Sequence, residues 1–185
     1  MIDRTIQRTE AVIQTVTRQL YSLSDVVLNT KPGPDQWSIL ECLEHLNRYH
    51  RYYNKALREA LAKLPERPSS KNYRSAWLGA YFIKSVAPDN QKKQKTMRHL
   101  NPSDSSLSRE VIDEFLTLQK EFLDLIREAG KKDLNPKLIR VEVMKLIRMK
   151  IGDTLLFLAN HNERHLRQAL RVSETIRKSS TRQVA

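Results

Sequence analysis

Four stretches of this chain repeat apolar side chains at intervals of three and four residues, a period that strands cannot use and that commits the chain to packed helices. The first, from residue 3 to about 28, carries Ile6, Ile13, Val16, Leu20, Leu23 and Val27. The second runs to about Lys63, with Cys42, His45, Tyr49, Tyr53, Ala56 and Ala60 on one face and Leu43, Leu46, Leu57 and Leu61 widening it. The third, from about Ser105 to Ala129, presents Leu107, Val111, Phe115, Leu118, Phe122, Leu125 and Ala129. The fourth aligns Thr154, Phe157, His161, His165, Gln168 and Val172, flanked by Leu155, Ala159, Leu166 and Leu170.

The punctuation between the stripes sets their order. Lys31-Pro32-Gly33-Pro34 forbids continuation of the first helix. Ser38 and Glu41 form a capping box that starts the second, with Trp37 just before it. Residues 64–104 contain Pro65, Pro68, Pro88 and Pro102 and one apolar island, Tyr73 to Val86, which reads as a short extra helix laid across the bundle. Gly130 stops the third helix. A basic connector follows from Lys131 to Gly152, in which Leu138 to Val143 can be briefly extended, and Asp153 or Thr154 is placed to cap the fourth helix. These signals describe an all-α protein, a single four-helix bundle over residues 1–178, with residues 179–185 as a frayed tail. A crossover of some forty residues lets the second and third helices run parallel, giving up-down-down-up order.

Composition agrees and narrows the compartment. Only four glycines occur, too few for a sandwich or barrel rich in turns. The single cysteine, Cys42, excludes an internal disulfide and fits a reducing compartment. The first residues alternate charged and apolar side chains instead of forming a secretory signal, and no apolar run is long enough to span a bilayer, so the cytoplasm is expected and a membrane role is not. The formal net charge of +12 is not one stripe: residues 64–104, 131–151 and 164–185 carry net +5 each, whereas residues 105–130 carry −3. Positive charge in the connectors either confers solubility or surrounds the mouth of a pocket for an anionic ligand.

His161 and His165 stand one helical turn apart on an inward face, where a ring nitrogen must be satisfied. Either each bonds a buried carbonyl or carboxylate, or the pair shares a divalent metal. The one other inward helical histidine is His45, and the three together make the number of ligands expected of a catalytic site that keeps a fourth position open. Cys42 is placed to pack as a small apolar residue, His50 sits at the margin of its face as an ordinary boundary residue, and His99 falls in a polar loop. Glu41, one turn before His45, and Gln168, just beyond His165, are placed to orient ligands or bound water, and Tyr49 to reach an open metal position or pack in the core.

Trp37-Ser38 opening a helix, Glu41 and His45-Leu46 within it, then Gly152-Asp153, His161-Asn162-x-Arg164-His165 and Gln168 together resemble the DinB/YfiT-like superfamily of metal-dependent hydrolases, across essentially the whole chain. The resemblance implies an up-down-down-up bundle, a divalent ion on His45, His161 and His165 (nickel or zinc first, manganese or iron as further options) and a homodimer. It also implies a small-molecule substrate, processed by hydrolysis or by S-transfer from a low-molecular-weight thiol such as bacillithiol, mycothiol or glutathione. The competing expectation is a non-catalytic basic bundle that binds nucleic acid or another acidic partner. No helix-turn-helix, zinc-finger or glycine-rich phosphate loop supports it, and aromatics are not interleaved with the basic runs, so specific nucleic-acid binding is not expected.

Overall fold

The computed structural model describes residues 1–67, 73–90, 92, 95–103 and 107–183, with the backbone alone for 180–183. Helix α1 spans Ile2–Gln19, α2 Asp25–Asn29, α3 Ile39–Leu61, α4 Trp77–Ser85, α5 Glu110–Ala129 and α6 Ile151–Gln183, with a two-stranded ribbon, β1 Ile139–Val141 and β2 Met144–Met149, between α5 and α6. The bundle is made by α1, α3, α5 and α6, and α4 is the crossover helix, lying against α6.

Side-chain pairs fix the directions. Asn47, Arg51, Asn54 and Arg58 of α3 bond Val111, Glu114, Leu118 and Glu121 of α5, a constant offset of 63 or 64 residues that only parallel helices produce. Glu10 pairs with Arg127 and Tyr21 with Asp113, so α1 and α5 are antiparallel. Tyr53 meets Phe157 and His45 meets His165, so α3 and α6 are antiparallel as well. The order is up-down-down-up, with α1 diagonal to α3.

Several element ends differ from the sequence expectation, each for a local reason. The first stripe is two helices, not one running to about residue 28. Ser24 starts α2 by accepting the Val27 N–H, and Arg109 donates to the Tyr21 and Leu23 carbonyls that the break leaves free. Apolar spacing continues across the break because Leu23 and Val27 still face the core, so periodicity alone cannot register it. Helix α5 begins at Glu110, one turn later than expected; residues 104–106, where Ser105 was the expected start, lie outside the described residues. The brief extension at Leu138 to Val143 is one arm of a hairpin whose second strand, Met144–Met149, the sequence did not announce.

Helix α6 starts at Ile151, so neither Asp153 nor Thr154 caps it. Its first amides donate instead to the Pro136 and Leu134 carbonyls of the connector. Asp153, fully buried in the first turn, turns its carboxylate to the Ala76 N–H at the start of α4. The helix continues to Gln183, past residue 178 where a tail was expected; residues 184 and 185 lie outside the described residues.

The crossover docks by close approach at two glycines. A Cβ on Gly152 would stand 2.5 Å from the Tyr73 ring, and one on Gly79 would stand 2.1 Å from the Asp153 carboxylate. Gly152→Ala is therefore expected to destabilise the protein by about 1–3 kcal/mol through overpacking, readable as a lowered Tm. A Tm equal to wild type would mean that the crossover does not pack against α6 as described.

The core is interrupted. One apolar cluster joins Val12 and Val16 of α1, Leu46 of α3, Phe115 of α5 and Leu166 of α6; the other joins Tyr53, Phe122 and Leu158 with the hairpin. Between the clusters the four helices bury polar side chains, among them Thr9, His45, Asn47, His50, Gln119, His161, Asn162 and His165. Such buried polar groups must be satisfied by hydrogen bonds or by a ligand, because burial removes them from bulk solvent.

Candidate metal centre

These buried polar groups include two histidine sets. His50 is fully buried, not a boundary residue, because α5 packs over the flank that helical spacing alone leaves at the margin. Its Nδ1 lies 3.0 Å from Asn54 Oδ1, whose amide N–H donates to the Leu118 carbonyl, and its Nε2 lies 2.9 Å from the Asn162 amide. Burial pushes the His50 pKa down, so the ring is neutral and donates at one nitrogen only. Asn162 must then present N–H to Nε2, and with both amides turned over the otherwise unpartnered Gln119 Nε2 donates to Asn162. Both nitrogens of His50 are engaged in this set, and Gln119 keeps one amide atom without a partner among the described residues.

The second set is open. Ligand atoms of His45, His161 and His165 all lie within 4.8 Å of one another. The capping box fixes where α3 starts and hence where His45 points: the Glu41 N–H donates to Ser38 Oγ at 3.1 Å, and the Ser38 N–H donates to Glu41 Oε2 at 2.8 Å. Glu41 also pairs with Lys31 at 2.9 Å, so its carboxylate serves the helix start. His45 Nδ1–H donates to the Leu100 carbonyl at 2.8 Å, which makes Nε2 the lone-pair nitrogen, and His165 Nδ1–H donates to Gln168 Oε1 at 2.9 Å with the same consequence. His45 Nε2 lies 3.2 Å from His161 Nε2, and the His161 Nδ1 is buried without a partner among the described residues. Desolvation lowers all three pKa values, that of His45 to about 4, and the neighbouring rings lower those of His161 and His165 further.

His45 Nε2 presents a lone pair, and at this distance it either accepts an N–H from His161 Nε2 or shares a metal ion with it. Two nitrogens sharing one ion at about 2.0–2.1 Å stand roughly 2.8–3.4 Å apart for bond angles near 90–110°, so the observed spacing fits a metal. Among the described residues the cluster offers three nitrogens and no carboxylate or thiolate. Cys42 is excluded by its state as well as its place: burial, with Glu41 adding to it, pushes the thiol's pKa up, and the residue packs fully buried in the apolar cluster. Trp37 flanks His45 and His165 at 4.9 and 5.7 Å, and Tyr49 stands edge-on to His161 at 4.4 Å. The Tyr49 pKa is pushed up to about 12, by burial first and Glu142 second, and its hydroxyl has no hydrogen-bond partner among the described residues. His99 is half exposed and pairs with Glu142 at 2.9 Å, away from this centre.

The structure thus brings together His45, His161, His165, Gln168 and Tyr49, and assigns Glu41 to the helix start. The backbone carbonyl of Leu100, which orients His45, has no sequence signal, since any residue supplies one. Gln168→Leu removes the acceptor that orients His165, so metal affinity is expected to fall by about 10–100-fold while the Tm of metal-free protein changes little. Unchanged affinity in a metal titration would show that His165 needs no such support.

The sequence pattern that defines the DinB superfamily matches residues 1–169. The chain belongs to the DinB superfamily. Among curated proteins, this DinB chain is 26% identical over 161 residues to the uncharacterized protein YuaE of Bacillus subtilis, covering 87% of this chain and 92% of that protein. Among solved structures it is similar in fold to Bacillus subtilis YfiT, with a TM-score of 0.54 at 16% identity, over 95% of this chain and 87% of that one. YfiT is described as a probable metal-dependent hydrolase with an unusual four-helix bundle topology.

Proposed function

We propose that this DinB-superfamily chain is a metal-dependent hydrolase acting on a small molecule, with one divalent ion held by His45, His161 and His165. One observation carries the reading: three neutral imidazoles converge, and two of them are turned by Nδ1–H bonds so that Nε2 faces the common point. Three protein donors leave a coordination position for water or substrate, as catalytic sites do and closed structural sites do not. Nickel or zinc suits an all-imidazole set, with manganese or iron less favoured. The ion's chemistry there is to lower the pKa of water or of a substrate thiol toward neutrality.

The chain's own residues do the rest. Tyr49 keeps its proton at neutral pH and offers an O–H, free of other partners, to an oxygen of the substrate. Trp37 and Phe157 wall the rings with apolar surface, which limits water and strengthens electrostatic contacts inside. A second reading is S-transfer from a low-molecular-weight thiol, favoured because the cluster among the described residues is all imidazole: a thiol needs only to be ionised, whereas hydrolysis commonly uses a general base.

The test is a screen of tag-free protein loaded with nickel, zinc or manganese against ester, amide and thiol-plus-electrophile substrates. Metal-dependent turnover lost in His161→Ala supports the proposal, and the substrate class separates the two readings. Turnover that is indifferent to metal and to His161 contradicts both.

A further inference from the structure

A groove of about 520 Å³ separates the C-terminal half of α3 from the β-hairpin, a volume within the range of small-molecule sites. Its lining starts six residues after His45, about 9 Å along the helix at 1.5 Å per residue, and continues to Lys63. We propose that this groove binds a small polyanion, a molecule carrying two or more phosphate-type oxyanions.

Four cations line it, Lys55 and Lys63 from α3 and Arg140 and Arg148 from the hairpin, and none has an ion pair or side-chain hydrogen bond among the described residues. Glu59 is the one carboxylate of the lining. Arg51, also in the wall, is already engaged by Glu44 and Glu114, so it contributes shape more than free charge. The hairpin supplies the independent observation. Arg140 and Arg148 are directly opposed partners in the antiparallel pair. Like charges in that position destabilise a ribbon, and an anion between them converts the repulsion into two charge-assisted contacts. The ribbon itself is tied down where it meets the groove, by the Tyr52 hydroxyl donating to the Arg140 carbonyl and by Ile139, Val141 and Met149 buried in the core. The arginines are thus held in place rather than left on a loose loop. Between the charged rims the floor is Ala56, Ala60 and Leu138, short side chains that leave room for the body of a ligand. The proposal is independent of the metal reading, since no histidine lines the groove.

The probe is inorganic pyrophosphate, titrated calorimetrically into the full-length protein at physiological ionic strength. Saturable one-to-one binding is expected, weakened at least tenfold in Arg140→Ser/Arg148→Ser and unchanged in Arg4→Ser/Arg18→Ser, which removes the same charge from the exposed face of α1. Binding is also expected to survive His161→Ala, because the groove and not a metal ion holds the anion. The hairpin variant should melt at or above the wild-type Tm in anion-free buffer, its opposed charges being gone; should it fail to fold, Lys55→Ser/Lys63→Ser repeats the comparison. No saturable binding, equal loss in both charge variants, or loss in His161→Ala overturns the proposal. So does a short DNA duplex that displaces pyrophosphate through the same arginines, which assigns the surface to nucleic acid.

Discussion

Replacing His45 by Ala is expected to abolish stoichiometric metal binding, with affinity falling at least about 100-fold, since loss of a ligand costs more than the 10–100-fold of losing a group that orients one. Metal-dependent turnover falls with it, while the fold survives. The two apolar clusters do not depend on His45, and a chain of this size forms a core without an ion. The variant leaves the Leu100 carbonyl without its donor, a loss of about 1–3 kcal/mol. His50→Ala has the opposite profile. It leaves His45, His161 and His165 in place but strips partners from the buried Asn54 and Asn162, costing about 2–4 kcal/mol. Metal analysis beside thermal unfolding of both variants reads the contrast. Metal loss in His50→Ala with its Tm intact would reverse the assignment of the two histidine sets.

Metal-free protein is expected to lose stability steeply on mild acidification. His45, His50, His161 and His165 are all held neutral by burial, with folded pKa values below the ordinary 6.5. Above 6.5 neither the folded nor the unfolded chain protonates these rings, and their contribution to stability is complete. Below it the unfolded chain takes up protons that the native state refuses, so stability falls as pH drops from about 6.5 toward the folded values. For His45, whose folded value is about 4, the loss across that interval is about 3 kcal/mol, and the other three rings add in the same direction. Bound metal competes for the same lone pairs and shifts the fall to lower pH. Unfolding in chelator followed from pH 7.5 to 4 checks this; a flat Tm across pH 6.5–4.5 would mean that the rings are already charged or exposed in the native state.

Much of this was legible in the sequence, and the reasons separate what was from what was not. Helices α3, α5 and α6 announce themselves through unbroken stripes, and the Ser38/Glu41 box marks the start of α3 because capping is a local matter of four residues. His45, His161 and His165 could be grouped because each falls on an inward stripe, and Gln168 could be attached to His165 because they stand three apart on one helix. His50 was misplaced because the width of a buried face depends on which neighbours cover its flanks, a tertiary fact supplied by α5 and Asn162. The break after Gln19 depends on Arg109, some ninety residues away, filling two carbonyls. The hairpin's second strand is mostly exposed and its apolar alternation breaks at Leu146-Ile147, and the opposition of Arg140 and Arg148 follows from a register shift beside Val141 that no local signal encodes.

The central claim is that three imidazoles from α3 and α6 hold one divalent ion. X-ray absorption on tag-free protein loaded with one equivalent of nickel or zinc tests it most directly. The account predicts one ion per chain with three imidazole nitrogens at about 2.0–2.1 Å and room for an exchangeable ligand. A coordination shell without three imidazoles, or the same spectrum from His45→Ala, would contradict it.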